Sequence, residues 1–364
     1  MATLLKSISS SDTTIMYTAD SSFPVPDGSV IIGSEVINYN SNYMGTLYGC
    51  TRGASSTVAA SHAIGDRIAV YNFYASPSAS SATFYPTGAM GSRLTTESGV
   101  PVSTSDRTSQ GTIYYTAGQT ALFDGTFWSP YSFSERSLVL AVTSGKNYDV
   151  FLGLNASVPT LSLSSAWTND TTRASALALQ DGVYVLGSDS TKLYVGTIRA
   201  SGSNVTEDSA AKRFVWNAYN RVTRNVVAVS SDVSWTYNVP STFRQANANA
   251  ANQVAFVTGL VGGSLSLSLS AQMQAPLSGG ELATVAIGLN SITVPSTLAV
   301  WASPAELDAT NNKLISSAFL SATPSIGYNY AAWLESVSGG TWSFYGTVVG
   351  VQFAHCGLVG SITA

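Results

Sequence analysis

The sequence predicts an all-β, multi-domain protein: a small N-terminal β-module followed by two β-sandwich or jelly-roll-like domains. Short runs of strand length, rich in β-branched and aromatic residues, recur along it, and turn chemistry interrupts them about every eight to twelve residues. The densest part runs from Gly111 to Val222. It holds Ile113-Tyr114-Tyr115, Leu138 to Val142, Tyr148-Asp149-Val150-Phe151, Leu161-Ser162-Leu163, Val183-Tyr184-Val185, Leu193 to Ile198 and Phe214-Val215-Trp216. Composition adds a further sign. Charged residues make up 10% of the 364, against about 25% in ordinary soluble domains, and Ser, Thr, Gly, Ala and Asn take their place. A polar, uncharged surface suits a rigid protein crowded against neighbours, because few ions need desolvating when large faces are covered. It equally suits an extracellular β-domain with a Ser/Thr-rich skin.

Other classes are disfavoured. With 16 basic and 20 acidic residues and a net charge of -4, the chain has no basic run to neutralise phosphates, so no nucleic-acid partner is expected. Lys212-Arg213 with Arg221 and Arg224 comes nearest, and reads as a solvated face. Cys50 and Cys356 lie far apart, match neither a disulfide framework nor a metal spacing, and are expected to be free, packed thiols. The start, Met1 to Lys6, lacks the apolar core of a signal peptide, and no run has the length of a membrane span. A soluble product made in a cytoplasm is the expectation.

The first segment is residues 1–74. Pro24-Val25-Pro26-Asp27-Gly28 is turn chemistry, and Val30 to Tyr39 reads as two strand halves about Gly33. Thr46-Leu47-Tyr48 and Asp66 to Tyr71 are further strands. Glu35 and Arg52 can pair to pin the loop between them, a contribution of about 0–1 kcal/mol if exposed. His62 reads as a structural histidine rather than a metal ligand, since the only other one, His355, is at the far end of the chain. The strings IIGSEVINY (Ile31 to Tyr39) and LYGCTRGASSTVAASHAIGDRIAV (Leu47 to Val70) resemble a small β-module that recurs in structural and tail proteins of tailed bacteriophages. Gly33, Glu35, Arg52, Gly53, His62 and Gly65 carry the resemblance. It implies attachment to capsid or tail proteins of a virion.

Residues 75–110 shift to Ser, Thr, Ala, Pro and Gly and read as an extended linker, with Phe84-Tyr85-Pro86 and Met90 as anchors. The central domain, 111–230, contains two hairpin signals, Asp124-Gly125 and Asp181-Gly182. Asn169 to Arg173 predicts an N-capped helical turn, and Glu207-Asp208 a short helix through Lys212. This domain resembles one found in tail, fibre and other virion-surface proteins of tailed phages and prophages. The strings are GTIYYTAGQTALFDGTFW (Gly111 to Trp128), SGKNYDVFL (Ser144 to Leu152), AWTNDTTRASALALQDGVYV (Ala166 to Val185), LYVGTIRASG (Leu193 to Gly202) and TEDSAAKRFVWNAYNRV (Thr206 to Val222).

The third domain, 231–364, opens on Trp235-Thr236-Tyr237 and continues through Gln253 to Val257. From Ser264 to Ser270, Leu and Ser alternate strictly, which puts Leu265, Leu267 and Leu269 on one face. Thr284 to Leu289, Thr297 to Trp301, Ala331 to Leu334 and Ser343-Phe344-Tyr345 are its further strands. A short helical turn is expected at Pro304 to Leu307.

Nothing in the sequence signals catalysis. The two histidines are isolated, no G-x-S-x-G surrounds a nucleophile, and phosphate loops are absent. Several of the sparse acids, Asp124, Asp170, Asp181 and Asp208, have turn or cap roles, which argues against paired glycosidase carboxylates. No enzyme activity, cofactor or metal is expected. Trp128, Trp167, Trp216 and Trp333 read as core, whereas Tyr237, Tyr328, Asn329 and Tyr330, near loops, are the candidates for contact with a host-surface glycan or receptor.

The resulting expectation is a structural protein of a tailed-phage virion, of the tail-fibre or adsorption type. A homotrimer is implied by resemblance to fibre-type proteins. The alternatives are a capsid decoration, cement or head-fibre protein, and a glycan-binding or depolymerising tailspike.

Overall fold

The computed structural model describes residues 2–18, 23, 27–54, 57–70, 91–276, 280–303, 313–346 and 355–364. Its architecture is all-β, as the alternation and turn spacing imply. Among the described residues, the helical structure is a single 3₁₀ turn, Ala246–Ala248. Two compact units divide the chain, Met1–Tyr85 and Pro86–Ala364.

The first unit pairs a five-stranded sheet with a three-stranded one. The larger runs in the order Ala2–Thr3, Arg67–Val70, Gly28–Ile32, Glu35–Tyr39, Thr51–Ala54. Its centre is the hairpin read about Gly33: Ile32 pairs with Glu35, and Gly33 takes φ +59°, a conformation that costs a residue with a Cβ. Ile15, Val30, Ile32, Ile37, Leu47 and Ile68 form its core.

The second unit departs from the expected division into linker and two separate domains. Residues 91–110 are part of the packed body. Leu94–Thr95 pairs with Thr112–Tyr115, and Arg107–Gln110 pairs with Val205–Asp208. The composition of this stretch is polar, but ladder bonds and the buried Arg93, which donates to the carbonyls of Pro101, Asn220 and Ala364, supply what apolar side chains do elsewhere. The proposed anchors Phe84, Tyr85, Pro86 and Met90 lie outside the described residues, as does the helical turn at 304–307.

The boundary at 230 is also crossed. Lys212–Arg213 pairs in parallel with Gln253–Thr258, so one thirteen-stranded sheet runs from central to distal residues. Thr223–Val229, assigned to the central domain from sequence, pairs along its whole length with Gly357–Thr363 and belongs to the distal sheet.

Both expected helices are replaced by turns. Asn169 Oδ1 accepts from the Thr171 amide at 2.9 Å, an Asx turn with no helix behind it. Glu207 and Asp208 end the strand Val205–Asp208, which turns at Ser209 and returns as Lys212–Arg213. Asn169 thus bonds a turn amide, while Glu207 accepts from the Ser209 hydroxyl and Asp208 from two arginines, which leaves no helix cap. The two hairpin signals hold: Phe123 pairs with Trp128 around Asp124-Gly125, and Gln180 pairs with Val183 around Asp181-Gly182.

The distal part is a sandwich. A seven-stranded sheet, Thr223–Val229, Gly357–Thr363, Leu265–Gln274, Lys313–Ala322, Ala299–Ala302 with Ser234–Tyr237 and Trp342–Tyr345, packs on the strands Gln253–Thr258, Ala283–Leu289 and Gly327–Val337. The Leu/Ser alternation is realised: Leu265, Leu267 and Leu269 are buried beside Phe256, Trp235, Trp333, Trp342 and Phe344. Trp167 and Trp216 are also buried, as expected, while Trp128 is half-buried and donates from Nε1 to Asp181 Oδ2 at 2.9 Å, tying the two hairpins together.

Candidate interaction surface

Of the four residues singled out for glycan or receptor contact, Asn329 and Tyr237 are buried, and Tyr328 and Tyr330 are half-buried. Tyr328, Asn329 and Tyr330 lie within the strand Gly327–Val337, opposite Val257, Phe256 and Ala255. Asn329 is fully buried. Its Nδ2 donates to the carbonyls of Ser325 at 2.7 Å and Gly327 at 3.0 Å, and its Oδ1 accepts from Asn290 Nδ2 at 2.9 Å. The Tyr328 ring lies 3.7 Å from the Arg199 guanidinium, its amide donates to the Asp170 carbonyl, and burial raises its pKa. Tyr330 stacks at a tilt beside Tyr328, with 6.0 Å between centroids. Tyr237 is in the other sheet, buried, with its hydroxyl donating to the Thr242 carbonyl at 3.0 Å. Tyr328 and Asn329 thus join parts of the second unit that are distant in the chain. These residues were expected near loops, but Tyr328, Asn329 and Tyr330 lie in a strand that begins at Gly327.

Charge is used in the same inward way. Glu35 is buried and accepts from Arg52 Nε and Nη2, each at 2.8 Å, and from the amides of Gly53 at 2.9 Å and Ala60 at 3.1 Å. His62 Nε2 completes the set at 2.8 Å, so the expected structural histidine and the expected ion pair share one carboxylate. The pair is buried rather than exposed. Burial by itself would raise the Glu35 pKa; the bonds from Arg52, Ala60, Gly53 and His62 outweigh it and bring the carboxyl down to about 2.

In the central part Asp149 does comparable work. Arg173 donates to it from Nε at 2.7 Å and Nη2 at 3.1 Å, Thr197 Oγ1 at 2.7 Å and Trp167 Nε1 at 3.2 Å. Arg173 also donates to the Gly259 carbonyl at 2.6 Å, which links the cluster to a distal residue. A Cβ at Gly259 would collide with the Tyr194 hydroxyl, Thr197 Oγ1 and the Trp216 ring, so glycine is what lets the two parts close up. Here burial prevails over the donors and the Asp149 pKa is raised.

Two further clusters complete the pattern. Asp208 takes Arg213 Nη1 at 2.9 Å and Arg224 Nη2 at 3.0 Å, so these two arginines, read from sequence as part of a solvated face, are buried, while exposed Lys212 pairs with Glu207 at 3.2 Å. Glu335 takes Trp235 Nε1 at 2.6 Å, Arg244 Nε at 2.8 Å and the Asn247 amide at 3.1 Å, and its pKa is raised by burial. Asp149 and Glu335 were missed in the sequence reading. The available signal was a lone acid inside an apolar strand, Tyr148-Asp149-Val150 and Leu334-Glu335-Ser336, since such a charge is rarely buried without a partner. Both cysteines are free and buried. Among the described residues, no three His, Cys, Asp or Glu side chains group as metal ligands, and no helix is long and apolar enough to cross a membrane.

An apolar surface open to contact lies on the outward face of the seven-stranded sheet. Register places Val227, Val359, Ser268, Phe319 and Val300 side by side on five adjacent strands. Phe319 is 57% exposed, Val300 72%, Val359 54%, and Ile315, farther along Phe319's strand, 62%. The neighbouring rows are Asn225, Ser361, Ser266, Ser321 on one side and Val229, Gly357, Ser270, Ser317, Ala302 on the other. Beyond these come Ser234, Tyr345, Gln272, Ile315 and then Thr236, Ser343, Gln274, Lys313. Lys313 is the one charge among these outward positions, and its Nζ sits 4.5 Å from the Tyr345 ring centroid.

No protein-family model matches the chain, and a search of curated proteins returned no match.

Proposed function

We propose that this chain is a non-enzymatic structural component of a tailed-phage virion, of the tail-fibre or adsorption type. Its N-terminal module docks it to capsid or tail proteins, its distal β-domains are exposed, and copies of it assemble with one another. The observation that carries the structural half of this reading is the disposition of its carboxylates. Four of the buried acids, Glu35, Asp149, Asp208 and Glu335, are each held by arginine and a further donor, and Glu207 by Lys212 and Ser209, an arrangement that stiffens a scaffold and leaves no poised acid–base pair among them. The virion half is supported by the resemblance of Ile31 to Val70 and of Gly111 to Val222 to phage modules.

Capsid decoration, cement or head fibre is the second reading, favoured by the broad uncharged sheet face, which suits permanent packing against neighbours. The glycan-binding or depolymerising tailspike has less support, since Tyr237 and Asn329 are buried and the Tyr328 ring lies against Arg199.

Immunogold labelling of intact particles with antibody to residues 231–364 tests the proposal. Gold at the tail tip is the expected result. Gold spread over the head replaces the adsorption reading with the cement one, and unlabelled virions overturn both.

A further inference from the structure

We propose that the outward face of the seven-stranded sheet is covered by a second copy of this chain. The first argument is chemical. A row of exposed Val359, Phe319 and Val300 with half-buried Val227, flanked by serines, valines and glutamines, presents apolar area with almost no charge to desolvate. A face with a single charge, at one end, can meet another copy of itself with little like-charge opposition, the usual obstacle to homotypic contact. Lys313, at one end of the grid, is drawn onto the Tyr345 ring. With a single cation, this surface lacks what a phosphate backbone requires.

The second argument is size. The strands Leu265–Gln274 and Lys313–Ala322 are each ten residues long, and the face is four to five strands across. At about 3.3 Å per residue and about 4.8 Å between strands it measures roughly 33 by 20 Å. That projected area of roughly 650 Å² approaches the ~800 Å² that each partner contributes to a standard specific interface. Face-to-face contact generates a two-fold pair, and packing of the same face about an axis generates a trimer; either seats a copy on this surface.

The inference rests on the reading of the chain as a repeated virion component only for its setting. Solution assembly and gold labelling can fail independently, so the two failures are distinguishable.

The test is light scattering on the isolated full chain, wild type and two variants, Phe319→Glu and Val300→Lys. Both positions point outward, so folding is preserved, as checked by far-UV circular dichroism and tryptophan emission. Wild type is expected to be oligomeric. Each variant is expected to raise the dissociation constant roughly 30-fold or more, the effect of losing an interface hot spot. Phe127→Glu, 63% exposed at the tip of another hairpin, is expected to leave assembly unchanged. If Phe319→Glu misfolds, Val300→Lys on the short strand Ala299–Ala302 decides. Wild type that is monomeric at its highest soluble concentration overturns the proposal. So does an oligomer whose dissociation constant neither variant moves.

Discussion

Glu35 in the first unit and Asp149 in the second have the same kind of partner and opposite electrostatic outcomes. Each is buried and held by an arginine in a two-point contact. Glu35 gains two backbone amides and a histidine, and its pKa falls to about 2. Asp149 has only side-chain donors to its carboxylate, lies deeper, and its pKa rises with burial. Pairing with arginine alone does not decide whether a buried carboxylate favours its charged form. Donor number weighed against desolvation does.

The largest way to break this comparison is Asp149→Ala. Arg173 would be left between Trp167 and Tyr194 without its carboxylate, and the second unit is expected to lose about 3–5 kcal/mol. All seven tryptophans lie in that unit, so denaturant unfolding followed by tryptophan emission measures the loss there alone.

Glu35→Gln should cost less, on the order of 2–3 kcal/mol in the first unit, because Arg52 keeps the carbonyls of Ser9 and Ala60. Cys50 is the reporter. It is buried, and burial pushes its thiol up to about 11, so labelling in the native state is slow. The variant should label faster at Cys50 and unchanged at Cys356.

Acid sharpens the contrast without any mutation. The lowered pKa of Glu35 means that the folded unit binds its proton less readily than the unfolded chain. The stability it contributes is therefore complete above its ordinary 4.5 and is lost as pH falls toward about 2. Asp149 and Glu335 have raised values, so their ionisation opposes folding near neutrality and protonation on acidification relieves it. Between about pH 4.5 and 2, Cys50 should open to a disulfide reagent active in acid while tryptophan emission stays native. Simultaneous loss of both signals would contradict this account.

The strands were legible because alternation and turn chemistry are local. Leu265 to Leu269, the glycine at 33 and the two Asp-Gly hairpins could be placed from neighbouring residues alone, and the structure has them there. Residues 91–110 misled because their burial is supplied from elsewhere: Arg93 finds its acceptors at Asn220 and Ala364, far along the chain. The tyrosine at 328 misled for a related reason, since the side chains against it, Arg199 and Phe214, belong to another part of the sequence.

By itself, then, the sequence determined the all-β class, the turns, the inward leucines and the uncharged character of the surface, all properties of a residue and its near neighbours. Only the tertiary structure decided that the central and distal parts share a sheet, that Glu35, Asp149 and Glu335 are buried with their arginines, and that Val227, Val359, Phe319 and Val300 fall into one row. Those outcomes depend on register between strands far apart in the chain, and a shift of one residue would turn the same side chains to the opposite face.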